Sequence, residues 1–379
     1  MLNFSLSDEQ KALRELARDF AQNEMRPVAA QHDRSGEYPW GVIQQAHKLG
    51  LMNLSVPEAY GGGGLHEFEE CLVTEELSWG CTGITSAIAA NTLGVLPIVL
   101  GGSDEQKTRF LRHVTAEPIM LAFNLTEPQS GSDAANMKVT ARKVGNDYVL
   151  NGVKQFITNG GVATYQTVFA MTDASKGANG VSAFVVPSAT PGVTAGKEED
   201  KMGQRAANTA QMVYQDALVP AANRLGSEGE GFKLAMKTLD QSRASIGALA
   251  VGLARAAMDA AIDYAKQRNA FGQPIANFQM VQALLADMAI KVETARLITW
   301  KAAWLTDNGL RASLESAIAK CYASDIAMQV TTDAVQVFGG YGYMRDFPVE
   351  KFMRDAKLIQ IYEGTNQIQR VVIARQLLK

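Results

Sequence analysis

The 379-residue chain is 47% apolar and 20% charged, a globular composition that excludes a disordered or collagen-like chain and leaves room for two or three domains. Thirty-six basic against 39 acidic residues give a net charge of −3, so no broad positive field exists to bind along a nucleic-acid backbone, and an anionic ligand must be held by a few placed groups. Cys71, Cys81 and Cys321 have no pair spacing and His32, His47, His66 and His113 are scattered, which predicts free buried thiols in a reducing compartment and no metal site.

In chain order, the N-terminus carries neither a basic apolar signal nor an Arg-rich transit pattern. A cytoplasmic location is expected, or the mitochondrial matrix for a processed chain. Ser7-Asp8-Glu9-Gln10 opens a helix with a capping-box pattern, with Leu13, Leu16, Ala17 and Phe20 on its apolar side. Leu77 to Ser103 carries no charged side chain. Its run of Gly, Thr, Ser and Asn with Pro97 is too broken for a lipid-spanning helix, so no membrane insertion is expected and a buried helix pair lining a pocket is. Ser103-Asp104-Glu105-Gln106 repeats the capping pattern ahead of Phe110 and Leu111. After about residue 120, β-rich runs separated by turn residues appear at Tyr148–Leu150, Gln155–Thr158, Thr167–Met171, Val181–Val186 and Gln211–Tyr214. These spacers are turns, which predicts an antiparallel barrel or sandwich and not βαβ units. From Gly231 the chain is helical again. Val281, Leu284, Leu285, Met288, Val292 and Ala295 share a face, Asn269 to Asn277 forms a loop before it, and a later helix stops where Phe338 meets Gly339-Gly340.

Familiar nucleotide and hydrolase signatures are missing: no G-x-G-x-x-G follows a strand, no Walker A occurs, and no G-x-S-x-G elbow is present. The Gly61–Gly64 run reads as a plain loop. Two segments remain. Leu125-Thr126-Glu127-Pro128-Gln129-Ser130-Gly131-Ser132-Asp133 packs short donors and glycines into a turn, able to meet a flat polar heterocycle or a phosphate, or simply to cap a turn. Ile359 to Arg370 places the acid Glu363 after Ile361 and Tyr362 and before Gly364, ahead of a helix that Thr365 can cap. Such an acid is either a solvated group favouring the helix dipole or a buried base whose pKa burial raises.

Together these segments resemble the two signature regions of the acyl-CoA dehydrogenase family, the medium-chain members above all and the short-chain members next. Phe156-Ile157-Thr158-Asn159-Gly160-Gly161, Arg268-Asn269-Ala270-Phe271-Gly272, Gln336-Val337-Phe338-Gly339-Gly340 and Met353-Arg354-Asp355-Ala356-Lys357 extend the likeness over the whole chain. The resemblance implies an α+β multidomain fold: an N-terminal helical domain (1–120), a middle antiparallel β-barrel domain (121–228) and a C-terminal four-helix bundle (229–379). It also implies FAD, an acyl-CoA substrate, a homotetramer and an electron-transfer flavoprotein as acceptor. Glu363 takes the position of the base that removes the α proton while the β hydrogen leaves to the flavin. Phe123, Leu125, Thr126, Gly131, Ser132, Phe156 and Thr158 match flavin-side positions, with Phe156 where many relatives carry tryptophan. Arg268, Phe271, Gln279, Gln336, Gly339 and Gly340 match the pyrophosphate and adenine side of FAD across a subunit contact, and Thr365 and Gln367 match further FAD contacts. For the substrate, Ser132, Asp240, Arg243, Tyr362, Gly364 and Arg375 match. Asp240 and Arg243, three apart on a helix, also read as a local ion pair.

Two departures from the family pattern inform substrate choice. A branched-chain subfamily carries its base on the bundle helix, where this chain has Ser242, so the straight-chain arrangement is expected. Medium-chain relatives can close the acyl pocket with a glutamate at the position of Ala89, and alanine predicts tolerance of chains of medium length or longer. An oxygen-using acyl-CoA oxidase and a non-catalytic flavin or acyl-CoA binder are the competing readings. The chain length argues against the first and Glu363 against the second.

Overall fold

The computed structural model describes residues 5–379, and the first four residues, part of the targeting expectation, lie outside it. Helix α1 (Asp8–Phe20) begins where the sequence signals it: Ser7 Oγ accepts from the Gln10 N–H at 3.2 Å, and Gln10 Oε1 accepts from the Ser7 N–H at 3.0 Å. A π-helical segment (Ala21–Met25), α2 (Ala29–Ser35) and α3 (Trp40–Lys48) follow. The charge-poor stretch is the second half of α4 (Glu67–Gly101), one long element broken by extended backbone at Cys81. After it, α5 (Asp104–Ala116) repeats the capping box at Ser103 and Gln106. Helix α4 and the later α6 (Gly231–Gln267) are both long and apolar enough to cross a membrane, yet 67% and 72% of their most apolar windows are buried inside the protein. They pack against each other, α6 also against α7 and α8 and α4 also against α1 and the middle sheet. Gly252 of α6 sits so close to α4 that a Cβ there would lie 2.1 Å from the Glu75 carbonyl oxygen, so only glycine permits this helix contact.

The middle sheet has eight strands: β1 (Leu121–Asn124), β2 (Thr140–Val144), β3 (Asp147–Thr158), β4 (Tyr165–Met171), β5 (Val181–Pro187), β6 (Val193–Glu198), β7 (Thr209–Pro220) and β8 (Arg224–Leu225). Their order is β6-β7-β3-β2-β4-β5-β8, with β1 beside β4. The runs expected as separate strands at Tyr148–Leu150 and Gln155–Thr158 are one strand, β3, kept paired to β7 across two irregularities in register. Most pairings are antiparallel. Two are parallel, β1 with β4 and β2 with β4, so the sheet is mixed, because β1 enters from α5 alongside β4 and needs no hairpin. Strands β2 and β6 escape the sequence reading because they present mostly exposed, polar residues without alternation.

The C-terminal part consists of α6, a two-residue-per-strand hairpin, β9 (Asn269–Ala270) with β10 (Gln273–Pro274), then α7 (Gln279–Asp307), α8 (Ser313–Phe338), α9 (Val349–Ile359) and α10 (Asn366–Leu377). The inferred face of α7 is the inward one, with Met288, Val292 and Ala295 buried and Val281, Leu284 and Leu285 packed at its edge. Helix α8 stops at Gly339, whose φ is +62°. All three cysteines are buried and unpaired. The N-terminal helices, the sheet and the bundle converge on one junction, where α4, β3, α6 and the segment between α9 and α10 meet around a cavity.

Candidate active site

The cavity has a volume of about 620 Å³ and brings together residues far apart in sequence. Strand β1 supplies Phe123, the β1–β2 loop Leu125, Thr126, Gly131 and Ser132, and β3 Phe156 and Thr158. Opposite them stand Arg243 of α6, Tyr362, Glu363 and Gly364 of the turn before α10, and Arg375 of α10 itself. Ala89, Ala90 and Leu93 of α4 and Ile246 and Leu249 of α6 complete an apolar wall. Two kinds of surface therefore face each other: short hydroxyls and aromatic rings on the sheet side, and one carboxylate on the helical side.

Glu363 sits in the turn between α9 and α10 with φ +52°, in the left-handed region that costs a side-chain-bearing residue roughly 1 kcal/mol or more. Gly364 follows with φ +88°, and Thr365 caps α10 by accepting from the Ile368 N–H at 3.2 Å. The Glu363 carboxylate accepts from Ser242 Oγ at 2.8 Å. Burial raises its pKa, while the Ser242 hydrogen bond and the nearby cations Arg243 and Lys320 hold it down. Among the described residues its backbone N–H meets no acceptor, leaving a donor free beside the carboxylate. Glu363 is not the only strained residue at the cavity. Phe156 (φ +58°) and Gln204 (φ +48°) also line it, and neither is a residue that tolerates this backbone cheaply.

On the sheet side, a buried ion pair clamps the loop. Lys154 Nζ lies 2.9 Å from Glu127 Oε1 and donates to the Leu125 carbonyl at 2.9 Å. Glu127 also accepts from the Val139 N–H at 3.0 Å and from Gln129 Nε2 at 2.8 Å. Phe156, an aromatic residue of the cavity lining, is 62% exposed in the isolated chain. The hydroxyls of Thr126, Thr158 and Ser132 have no protein partner among the described residues. Partnerless short donors beside an apolar, aromatic wall fit the edge and face of a flat heterocycle such as a flavin ring.

The other expected residues lie elsewhere. Asp240 pairs with Arg243, which is itself buried with its Nε unpartnered, and Ser313 Oγ holds the second Asp240 oxygen at 3.2 Å. Thr365 is a helix cap and Gln367 is exposed. Arg268, Gly339 and Gly340 line a second cleft of about 510 Å³, where the Arg268 guanidinium lies 5.4 Å from the Tyr341 ring centroid. Phe271 is 96% exposed, and Gln279 and Gln336 also stand at the surface. The sequence reading missed Ser242 as a partner of Glu363, and it missed Lys154, Lys320 and Gln369. A lysine on the inward parity of a strand, or among the small residues Ala317, Ala319, Ala323 and Ser324 of a buried helix, was the available signal.

Residues 7–117, 122–217 and 229–378 match the family models described as the N-terminal, middle and C-terminal domains of acyl-CoA dehydrogenase. A probable acyl-CoA dehydrogenase of Mycobacterium leprae is 46% identical over 377 residues, covering 99% of this chain and 97% of that protein. Among solved structures, butyryl-CoA dehydrogenase from Megasphaera elsdenii is 44% identical with a TM-score of 0.97, each chain covered completely. A chain from a structure described as the electron transferring flavoprotein of Acidaminococcus fermentans is also 44% identical, with a TM-score of 0.98 and complete coverage of both chains.

Proposed function

The chain belongs to the acyl-CoA dehydrogenase family of flavoproteins, and from that premise we propose that it desaturates straight-chain acyl-CoA thioesters between the α and β carbons, with Glu363 as the base. The observation that carries this reading is the half-buried carboxylate of Glu363, which lines the cavity with the partnerless hydroxyls of Thr126 and Thr158 and is held by Ser242. FAD, when bound between these walls, supplies a two-electron acceptor for the hydrogen leaving the β carbon. The chain's own residues do the rest. Glu363 takes the proton from the α carbon, and Ser242 fixes which carboxylate oxygen faces it. The free Glu363 N–H offers a donor to the thioester oxygen as negative charge develops there. The apolar wall of Ala89, Leu93, Ile246 and Leu249 receives the acyl chain and excludes water, which raises the affinity of the carboxylate for a proton. Arg243, paired with Asp240 on one side, stands where the anionic part of CoA would enter.

Straight-chain substrates are favoured because the acid is at Glu363 and position 242 is serine. Ala89 leaves the α4 wall open, which favours chains of medium length or longer. Electron-transfer flavoprotein is the proposed acceptor, in keeping with the similarity to the Acidaminococcus structure. We also propose a homotetramer. Ile290, Leu297 and Trp304, exposed at seven-residue spacing on α7, form an apolar stripe for a second copy, and Arg268, Phe271, Gln279 and Gln336 sit apart from the main cavity as a contribution to a neighbour's cofactor would. A native mass measurement checks this, and a monomer that retains FAD would overturn it.

The decisive test is Glu363→Gln. It should keep FAD and acyl-CoA binding and lower anaerobic flavin reduction by about 10²–10⁴-fold, the usual contribution of a general base. Flavin reduction at the wild-type rate would show that another group removes the proton.

A further inference from the structure

Beside Glu363 lies a buried lysine that the chemistry above leaves without a task. Lys320, in the first third of α8, has no exposed surface. Its ammonium donates to the Gly364 carbonyl at 2.8 Å and to Asn366 Oδ1 at 3.0 Å. Both acceptors are neutral, and among the described residues this buried cation pairs with no carboxylate. Such an arrangement is costly unless the site needs the charge.

The groups it touches belong to the turn that bears Glu363. Gln369 Nε2 donates to the Glu363 carbonyl at 3.0 Å and to the Gly364 carbonyl at 3.1 Å. Asn366 is itself fixed by Ser324 Oγ at 2.8 Å and Asp325 Oδ1 at 2.7 Å. The two peptide planes that follow the carboxylate are therefore tied to the bundle from below, which is what allows two consecutive left-handed residues to persist.

We propose that Lys320 is a positioning residue for the reaction: it fastens the Glu363–Gly364 turn through the Gly364 carbonyl and Asn366, and its charge keeps the adjacent carboxylate ionised inside an apolar cavity. The inference rests on the reading of Glu363 as the base. The titratable groups around Glu363 are Arg243 from α6, Lys320 from α8, Glu70 from α4 and Tyr362 from its own turn. Lys320 in turn feels Glu363, Asp325, Cys321 and Arg243. Desolvation pushes Lys320 down to about 8, with the Glu363 carboxylate foremost among the groups pulling it back up. Each charge stabilises the other, so removing the ammonium must make the carboxylate easier to protonate.

The test is anaerobic flavin reduction by a saturating acyl-CoA, followed across the neutral pH range on the FAD-loaded protein. Lys320→Met should lower the limiting rate roughly 10- to 100-fold and move the pH midpoint of the base up by about one unit, with KM changed by less than about threefold. Gln369→Leu removes a tie and keeps the charge, so the rate should fall with the midpoint in place. A merely structural role for Lys320 would lower FAD content and melting temperature and leave the midpoint where it was, and that result overturns the proposal. If the Lys320→Met chain does not fold, Lys320→Gln keeps a donor for the Gly364 carbonyl while removing the charge and must still raise the midpoint, and an unmoved midpoint refutes the inference equally. Glu363→Gln in the same series separates the two readings. Normal reduction by that variant removes the base assignment, whereas its loss together with an unshifted midpoint in the Lys320 variants removes only the role of Lys320.

Discussion

The loop that carries Leu125, Thr126 and Ser132 hangs on one buried ion pair, and Lys154→Met measures what that pair holds in place. The Lys154 side chain is fully buried and that of Glu127 is 1% exposed, with 2.9 Å between them. Methionine has nearly the volume of lysine, so the substitution empties no core and acts through charge and hydrogen bonds. Removing one member of a buried pair strands the other, typically at about 3–5 kcal/mol. Here Glu127 retains the Val139 and Lys138 N–H groups and Gln129 Nε2. Those donors hold part of the orphaned charge, which places the loss near the lower end, about 3 kcal/mol, or roughly two powers of ten in the folding equilibrium.

The assay is urea unfolding at fixed protein and FAD concentration, since ligand binding shifts apparent stability, together with the FAD dissociation constant. FAD should bind more weakly, because the freed loop carries Leu125 and Thr126. Adding Glu127→Gln to Lys154→Met removes the stranded charge and should recover about 1 kcal/mol or more. A Lys154→Met chain within about 1 kcal/mol of wild type, or a double variant no more stable than the single one, would refute the clamp.

Three further outcomes follow from the same geometry. Burial holds Lys154 and Lys320 each at about 8, below the ordinary 10.5, so the unfolded chain binds more protons across that window and stability should rise with pH above about 8, by up to about 3 kcal/mol for each lysine. Glu70, raised to about 7, and Glu67, raised with it, act in the opposite sense below neutrality, so the denaturation midpoint should pass through a minimum near neutral pH; a flat profile counts against these buried charges. Gly252→Ala puts a methyl group 2.1 Å from the Glu75 carbonyl oxygen and should cost about 1–3 kcal/mol in thermal unfolding, although alanine is the better helix former by about 1 kcal/mol; a raised melting temperature would refute the close α4–α6 contact. Ala89→Leu should narrow the apolar wall and reduce kcat/KM for long acyl-CoAs about 10- to 200-fold relative to short ones, and a wild-type enzyme confined to four-carbon acyl groups would refute the open wall.

What the sequence disclosed is what periodicity and punctuation encode. The capping boxes at Ser7 and Ser103, the apolar face of α7 and the glycine stop after Phe338 each rest on contacts a few residues apart, and each stands in the structure. The strands that were read are those with β-branched and aromatic side chains. Strand β2 (Thr-Ala-Arg-Lys-Val) and strand β6 (Val-Thr-Ala-Gly-Lys-Glu) are mostly solvent-facing, and only their neighbours make them strands. Glu363 was legible as a candidate because its apolar neighbours, the following glycine and the cap at Thr365 are adjacent in sequence. Ser242, 121 residues away, was not, because a hydroxyl on a helix carries no mark of what it faces.

The same distinction explains why the unread residues lie beneath the cavity more than in it. A ligand-facing residue must have a particular chemistry, and hydroxyls, an acid and aromatic rings advertise it. A supporting residue must only reach a carbonyl or a carboxylate from the far side, and many side chains satisfy that in sequence terms. Lys154 reaches the Leu125 carbonyl and Lys320 the Gly364 carbonyl, one on each wall. Both are buried lysines, so both pay desolvation, and folding would reject them unless the segments they hold were otherwise unstable. On the helical wall the instability is visible in the positive φ of Glu363, a conformation that its own side chain disfavours and that Gln369 and Lys320 oppose reversing. The cavity is thus shaped by strain at its surface and by buried charge behind it, and the charge cannot be replaced by a larger apolar core, because backbone carbonyls need donors that hydrocarbon does not have.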